Sequence, residues 1–324
     1  MSPRPTVVIT RQIPDAALAP IQEVADVRYW DDRDPIPRQT LLAWADGADG
    51  IYCMLTERID AELLDAAGPS LQVVSTMSVG YDHVDVDACT ARRVLVGNTP
   101  GVLTDTTADL ALALLLATAR RIPEAVEAVK AGQWTTWKPQ WLTGPDLHGS
   151  TVGIVGLGRI GLATARRLMG FNCRILYTGP RPKPEAAAQV NATFVDWPTL
   201  LAESDFVSIH CPLNDATRHL FDAEAFAHMK STAILVNTSR GPVVDQAALL
   251  TALTTGQIAA AGLDVTDPEP LSAHHPLLSL PNCVILPHIG SASVATRLKM
   301  ALMAAENLVA GVTGVPLPFC VNGA

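Results

Sequence analysis

The stretch Val152-Gly153-Ile154-Val155-Gly156-Leu157-Gly158-Arg159-Ile160-Gly161 decides the fold. Its apolar, largely β-branched start predicts a buried strand, and residues 162–168 predict a helix. In G-x-G-x-x-G, the first glycine allows a tight turn, the second admits a pyrophosphate, and the third lets helix and strand pack closely. An ordinary glycine-rich turn is the alternative. We predict that a dinucleotide contacts Gly156, Leu157, Gly158, Arg159, Ile160 and Gly161.

The next predicted strand, residues 173–177, is followed by T-G-P-R-P-K-P. An NAD site usually carries an acid here to hold the ribose 2′-hydroxyl, and this chain has none. Arg181 is placed to pair with a 2′-phosphate instead. We therefore expect NADPH, with NADH binding more weakly, and contacts from Gly179, Arg181 and Pro182. The alternative is that Arg181 and Lys183 are solvated loop charges.

Composition limits the classes of function. The chain has 324 residues, 48% of them apolar, which is enough for two domains with sizeable cores. A net charge of −9 argues against binding to nucleic acid or anionic membranes. The six cysteines form no C-x-x-C pair, so we expect buried free thiols, no metal site and a cytoplasmic location. Neither a signal peptide nor a membrane span is predicted, since the most apolar segment, residues 110–117, is too short.

Short β-branched runs alternate with helical stretches in two series, residues 7–96 and 151–286. This order predicts an α/β protein with two doubly wound parallel sheets of Rossmann type. A helix at residues 294–310 is expected to return to the first domain. We therefore predict a dinucleotide-binding domain at residues 102–290 and a second domain at residues 1–101 plus 291–324. The apolar helix at residues 104–120 is read either as a core helix or as a subunit contact.

Three chemically active side chains each follow a different strand of the second series. They are Arg240 in T-S-R-G, Glu269 in D-P-E-P-L and His288 in P-H-I-G-S-A. Such strand ends are where open α/β sheets bind ligands. Arginine can fork onto a carboxylate, and a carboxylate between two prolines can orient an imidazole and stabilise its protonated form. Taken one at a time, the three residues could be a surface arginine, part of a rigid turn and a structural histidine. Because all three follow strands of one sheet, however, we predict that they converge on a single active site.

These motifs resemble those of the D-2-hydroxyacid dehydrogenase family. The G-L-G-R-I-G turn and the run S-T-M-S-V-G-Y-D-H-V-D at residues 75–85 also match, so the resemblance covers nearly the whole chain. The chain is most similar to the glyoxylate/hydroxypyruvate reductases of that family, through W-K-P-Q-W, L-Y-T-G-P-R-P and A-A-A-G-L-D-V-T-D-P-E-P-L.

The resemblance implies reduction of glyoxylate to glycolate and of hydroxypyruvate to D-glycerate. It also implies an active-site cleft between a flavodoxin-like substrate domain and the dinucleotide domain. His288 is the implied general acid, Glu269 orients it, and Arg240 binds the carboxylate and the 2-oxo oxygen. Ser78, Val79 and Gly80 offer backbone N–H groups to the substrate, a tight turn being the alternative. The further positions implied to line the cofactor are Thr107, Cys211, Pro212, Thr238, Ser239, Asp264 and Gly290.

Trp134, Trp137 and Trp141 lie three and four residues apart, as on one face of a helix. A packed aromatic stripe is one interpretation. The resemblance offers another, in which Trp141 reaches the active site of the partner subunit of a homodimer and limits substrate size.

Other functions stay open at this point. Phosphoglycerate, formate and broad 2-oxo acid dehydrogenases share the motifs, although the first often carries an extra domain and the second is expected to lack the acid at Glu269. A non-catalytic NAD(P) sensor of the same fold is the alternative from a different class. The choice among small 2-oxo acids is also open, because differences of a few atoms are worth only about 1–3 kcal/mol.

Overall fold

The computed structural model describes residues 3–323 and divides them into two compact units. The first runs to Leu103 and resumes at Ala292, and the second is Thr104–Ser291. Each contains one parallel sheet with helices, which confirms the predicted α/β class of two Rossmann-like units.

The first unit is built on five parallel strands in the order β2-β1-β3-β4-β5. The strands are β1 Thr6–Ile9, β2 Asp26–Tyr29, β3 Gly50–Cys53, β4 Val73–Thr76 and β5 Leu95–Gly97. Its first four helices are α1 Asp15–Val24, α2 Arg38–Ala45, α3 Ala61–Ala67 and α4 Val86–Ala91. All residues of β3 and β4 are buried, including the polar Ser75 and Thr76, so neither strand shows the inside-outside alternation of a half-exposed sheet. This strand order is that of flavodoxin-like sheets.

The second unit contains seven parallel strands. They are β6 Thr151–Val155, β7 Arg174–Thr178, β8 Thr193–Phe194, β9 Phe206–Ile209, β10 Ile234–Asn237, β11 Ala260–Leu263 and β12 Cys283–Ile285. Its helices are α5 Thr104–Ala119, α6 Ile122–Lys130, α7 Arg159–Met169, α8 Pro184–Ala188, α9 Trp197–Glu203, α10 Ala223–His228 and α11 Gln246–Thr255. The spatial order is β12-β11-β10-β9-β6-β7-β8, so the chain winds outward from β6 and then crosses back to β9. The carboxyl ends of β6 and β9 therefore mark the switch point at which such sheets bind ligands.

Helix α5 is a core helix of the second unit. It packs on α7, β10 and β11, and Leu114, Leu115 and Ala119 are buried in it. A Cβ added at Gly262 of β11 would lie 2.8 Å from Leu114 Cγ, so the missing side chain lets helix and sheet approach. This packing favours the core interpretation of residues 104–120.

The last helix, α12 Val294–Val312, completes the first unit by packing on β3, β4 and α1. A Cβ added at Gly311 would lie 2.5 Å from Val73 Cβ, which shows how closely the helix approaches β4.

Two expectations from the sequence are wrong in detail, and one short strand was missed. No helix spans residues 131–150, and the Trp134 and Trp137 side chains are 64% and 80% exposed, so the packed aromatic stripe does not form. The glycines and prolines in this segment interrupt any helix. Cys53, Cys89 and Cys211 are buried free thiols, whereas Cys320 is exposed. The two-residue edge strand β8 was not predicted, because it is too short to show a hydrophobic pattern.

No helix within residues 3–323 is both long enough and apolar enough to cross a membrane. Over the same residues, no cluster of three histidine, cysteine, aspartate or glutamate side chains has the geometry to hold a metal ion.

Candidate active site

The glycine-rich turn has a distinct steric reason for each glycine. Gly156 has φ +95°, and a Cβ there would lie 2.9 Å from the backbone N of Cys211. A Cβ at Gly161 would lie 2.2 Å from Gly156 O, so α7 can pack on the turn only with glycine at this position. A Cβ at Gly158 would meet nothing within 4 Å. The turn is therefore closed on the protein side and open at Gly158, as close approach of a pyrophosphate requires.

Helix α7 presents free donors at this turn. It begins at Arg159, and its N-cap residue Gly158 supplies no side-chain hydrogen bond to the first turn. Those N–H groups and the positive end of the helix dipole favour an anion. Gly156 N also donates to Thr178 O at 3.0 Å, which fixes the turn against the end of β7.

The loop after β7 carries positive charge without a counter-charge. Arg181 is exposed, and within residues 3–323 no carboxylate lies within ion-pair distance of its guanidinium. Lys183 N donates to the Tyr177 hydroxyl at 2.9 Å, which holds the loop back onto the strand. Gly179 and Pro182 flank Arg181 in this same loop. The loop can accept an anionic group without removing an existing ion pair.

The remaining predicted cofactor positions lie along the carboxyl edge of the second sheet and on α5. Ser239 Oγ donates to Cys211 O at 2.7 Å, which joins the loops after β9 and β10. Pro212 follows Cys211 in the first of these loops. The Thr238 hydroxyl is buried and has no hydrogen-bond partner within residues 3–323, so it is available to a ligand. The open cradle at Gly158 and this orphaned hydroxyl both fit a dinucleotide.

Glu269 and His288 meet at the ends of neighbouring strands. They follow β11 and β12, which pair in parallel. His288 Nδ1 lies 2.5 Å from Glu269 Oε1, and the two side chains are 22% and 35% exposed. Because a carboxylate only accepts, Nδ1 carries the proton and the other ring nitrogen, Nε2, is left for a reacting group. His288 has φ +53°, a left-handed conformation that is uncommon for a residue other than glycine.

Asp264 holds the His288 loop in place. The carboxylate is buried and accepts the N–H groups of Ile289 at 2.8 Å and Gly290 at 2.7 Å, while its backbone oxygen accepts His288 N at 2.9 Å. Burial raises the pKa of the Asp264 carboxyl, and the Ile289 N–H opposes that rise. A Cβ at Gly290 would lie 3.1 Å from Asp264 Oδ2 and 3.4 Å from Thr107 Cγ2, so α5 also borders this loop.

Arg240 stands at the carboxyl end of β10, which neighbours β11. Its carbonyl accepts from Asn237 Nδ2 at 2.9 Å. A Cβ at the next residue, Gly241, would lie 1.9 Å from Thr266 O, so the Arg240 loop touches the loop that leads to Glu269. The three predicted catalytic residues thus lie on adjacent loops of one sheet edge.

In the first unit, Ser78, Val79 and Gly80 form a turn after β4. The carbonyl of Ser78 accepts from Thr99 N at 2.9 Å, that of Val79 from Asn98 Nδ2 at 2.9 Å, and that of Gly80 from Ser78 Oγ at 2.6 Å. Within residues 3–323, the backbone N–H groups of the three turn residues donate to no acceptor. With every carbonyl occupied and every N–H free, this 78–80 turn has the arrangement of donors that binding of an anion would require.

A half-buried histidine lies at the switch point of the second sheet. His210 follows β9, and its Nε2 lies 2.9 Å from Ser208 Oγ. Burial lowers the pKa of the His210 imidazole to about 4, so the ring is neutral at physiological pH.

Sequence reasoning missed two features of these sites. It assigned Asp264 only to the cofactor, whereas the residue also fixes the loop of His288. An acid at a strand end just ahead of P-E-P was the available signal. It also missed Asn98 and Thr99, which donate to the carbonyls of Val79 and Ser78 from a later part of the chain. No local sequence pattern predicts these contacts.

Comparison with known proteins places the chain among dehydrogenases. Residues 112–290 match the family described as D-isomer specific 2-hydroxyacid dehydrogenase, NAD binding domain. The human glyoxylate reductase/hydroxypyruvate reductase is 54% identical, covering 96% of each chain. A crystal structure of a Thermus thermophilus protein superposes with a TM-score of 0.90 at 45% identity, over 98% of this chain and 99% of that one. The NADPH-dependent glyoxylate/hydroxypyruvate reductase of Sinorhizobium meliloti, solved with NADP and malonate, gives a TM-score of 0.84 at 34% identity, over 99% and 97%.

Proposed function

Since this chain belongs to the D-isomer specific 2-hydroxyacid dehydrogenase family, we propose that it is an NADPH-dependent reductase of small 2-oxo acids. Its substrates are glyoxylate, reduced to glycolate, and hydroxypyruvate, reduced to D-glycerate. The observation that carries the proposal is the 2.5 Å contact between His288 and Glu269, on the edge of a sheet whose glycine turn fits a dinucleotide. The names of the human and Sinorhizobium meliloti relatives support this choice of substrate.

His288 is the proposed general acid. Glu269 holds the proton on Nδ1 and stabilises the imidazolium, so that Nε2–H faces the 2-oxo oxygen and donates its proton as that oxygen becomes an alkoxide. When bound, the reduced nicotinamide supplies the hydride that the carbonyl carbon accepts. The product gains one hydride on carbon and one proton on oxygen, and the reverse reaction returns the proton to His288.

Recognition of the substrate is assigned to charge and backbone donors. Arg240 binds the carboxylate and the 2-oxo oxygen through its guanidinium, which draws electron density from the carbonyl carbon. The free N–H groups of the 78–80 turn also bind the carboxylate. We accordingly assign substrate binding to residues 1–101 plus 291–324, and dinucleotide binding to residues 102–290.

The dinucleotide is held by the residues whose geometry is given above. The first turn of α7 takes the pyrophosphate, and Arg181 takes the 2′-phosphate that distinguishes NADPH from NADH. Gly179 and Pro182 shape the loop around Arg181. Thr107, Cys211, Pro212, Thr238, Ser239, Asp264 and Gly290 line the remainder of the site. NADH is expected to bind more weakly.

We further propose that the protein is a homodimer. Ile122, Val126 and Val129 leave an apolar stripe on α6 that is 45–53% exposed, and the exposed Trp134 and Trp137 follow it. Exposed apolar patches of this kind mark association surfaces. Trp141, whose ring lies 5.0 Å from Lys138 Nζ, is the residue proposed to reach the active site of the partner subunit. Light scattering of the purified protein tests the dimer.

Free thiols favour a reducing compartment, and we propose the cytoplasm. The six cysteines stand unpaired, three of them buried. Fractionation of the source cells tests this location.

The direct test is loss of absorbance of the reduced nicotinamide with glyoxylate, hydroxypyruvate and pyruvate, each against NADPH and NADH. We expect fast oxidation of NADPH with the first two acids and slower oxidation of NADH. Nucleotide binding without any oxidation would favour a different substrate or a nucleotide sensor.

A further inference from the structure

A chain of hydrogen bonds runs from His83 to the 78–80 turn. His83 Nε2 lies 3.0 Å from Thr76 Oγ1, which lies 2.8 Å from Ser78 Oγ, which in turn lies 2.6 Å from Gly80 O. Thr76 is fully buried and Ser78 is 4% exposed, so water does not replace these contacts. Neither His83 nor Thr76 has a place in the reaction as proposed above.

The direction of every bond in this chain is determined by counting protons. A carbonyl only accepts, so the single hydroxyl proton of Ser78 points at Gly80 O. Ser78 Oγ must therefore accept from Thr76, which uses the single hydroxyl proton of Thr76. Thr76 Oγ1 is then left as an acceptor, and the proton between it and His83 belongs to His83 Nε2.

From this order we propose that His83 is a positioning residue for the substrate carboxylate, acting through Thr76 and Ser78. The Nε2–H of His83 aligns the Thr76 hydroxyl, and Thr76 aligns the Ser78 hydroxyl on Gly80 O. Holding that carbonyl fixes the peptide plane between Gly80 and Tyr81. It thereby anchors the end of the turn and limits rotation of the preceding peptides, which carry the N–H groups of Ser78, Val79 and Gly80. The inference rests on the proposed function, because it assigns these N–H groups to the carboxylate of a 2-oxo acid.

The alternative proton order is excluded by the shortest contact. If Thr76 donated to His83, Ser78 would have to donate to Thr76, and no proton would lie between Ser78 Oγ and Gly80 O. Two unprotonated oxygens at 2.6 Å repel each other. Loss of the Nε2–H donor of His83 therefore weakens the hydrogen bond from Ser78 to Gly80 O, although His83 touches neither of these two residues in the series of hydrogen bonds.

Two pairs of variants test the relay. His83→Leu and Thr76→Val remove a link, whereas His83→Gln and Thr76→Ser retain a donor and a hydroxyl at the same reach. The KM for glyoxylate is measured at saturating NADPH, together with kcat, the Kd for NADPH and the thermal midpoint.

We expect His83→Leu and Thr76→Val to raise this KM roughly five- to tenfold, as loss of about one hydrogen bond requires. The kcat and the Kd for NADPH should stay within about twofold, since neither residue contacts the reacting atoms. His83→Gln and Thr76→Ser should restore the wild-type KM. The double variant His83→Leu/Thr76→Val should have a KM no higher than that of the more severely affected single variant. Unchanged KM in both disruptive variants, or equal loss in all four, would overturn the proposal.

A second measurement does not depend on catalysis. Two-bond ¹H–¹⁵N spectra of the histidine rings, assigned by comparison with His83→Gln, report which nitrogen carries the proton. The relay requires a proton on Nε2 of His83 at every pH at which the protein is folded. A neutral ring protonated on Nδ1 would refute the relay. A wild-type protein that reduces no 2-oxo acid, yet shows the Nε2 proton, would refute the proposed function and leave the relay standing as part of an anion receptor.

Discussion

Nδ1 of His288 lies 2.5 Å from Oε1 of Glu269, so the imidazole and the carboxylate form one hydrogen-bonded pair. Glu269→Gln preserves an acceptor for the Nδ1 proton but removes the negative charge that stabilises the imidazolium. We expect kcat for glyoxylate reduction to fall about 10- to 100-fold, which corresponds to a charge-assisted hydrogen bond. The kcat is measured at saturating glyoxylate and NADPH. Glu224→Gln on α10 is the matched control, and a Glu269→Gln kcat equal to that of the control would remove Glu269 from the mechanism.

Arg181→Asp should reverse the preference between the two nicotinamide cofactors. An aspartate repels a 2′-phosphate and can accept from a free ribose hydroxyl. We expect the KM for NADPH to rise at least about tenfold, roughly 1.4 kcal/mol, while that for NADH is unchanged or lower. Arg174→Asp makes the same charge change at the other end of β7 and should leave both values near wild type. An equal rise in the KM for NADPH and for NADH would show that Arg181 does not bind the 2′-phosphate.

Gly158→Ala and Gly161→Ala add the same methyl group to the same turn with different expected costs. At Gly161 the methyl group would lie 2.2 Å from a backbone oxygen, so the free energy of unfolding should fall by about 1–3 kcal/mol. At Gly158 it meets nothing within 4 Å, so stability should be preserved while NADPH binding is lost. Thermal unfolding and NADPH titration separate the two effects. Normal NADPH binding by Gly158→Ala would argue that the pyrophosphate lies elsewhere.

His210 should make stability depend on pH in one direction. Its pKa is about 4 in the folded protein and about 6.5 in an unfolded chain. The unfolded state therefore binds the extra proton first, so this contribution is complete above about pH 6.5 and is lost as the pH falls toward the folded pKa. Urea unfolding at pH 7 and pH 5 should show a larger loss for wild type than for His210→Gln. Identical pH dependence in the two proteins would contradict a neutral imidazole with a lowered pKa at His210.

Local sequence patterns were sufficient to predict the strand and the helix on either side of the glycine-rich turn. The apolar run before Gly156 became β6, and the helix expected after Gly161 lies within α7. Arg240, Glu269 and His288 lie on the three adjacent loops that their strands predicted, because parallel strands bring their carboxyl ends to one edge.

What the sequence could not predict depends on side chains that meet across long separations. Two of the three carbonyls of the 78–80 turn, those of Ser78 and Val79, accept from Thr99 and Asn98, and the His288 loop is held by Asp264. The prediction of a packed tryptophan stripe failed although a local pattern was present. The tryptophans have a helical spacing, but the glycines and prolines of the same segment prevent the helix. Periodicity reports where apolar side chains lie, and it reports nothing about which polar groups become partners.

The fully occupied carbonyls of the 78–80 turn also bear on how substrate range can change. If the turn binds the carboxylate as proposed, it is already held in place before the substrate arrives, so little ordering entropy is lost on binding. The carboxylate is common to all 2-oxo acids, so we expect selection among their side chains to depend on other residues. A change of preference toward longer or more polar acids should then require no substitution within the turn.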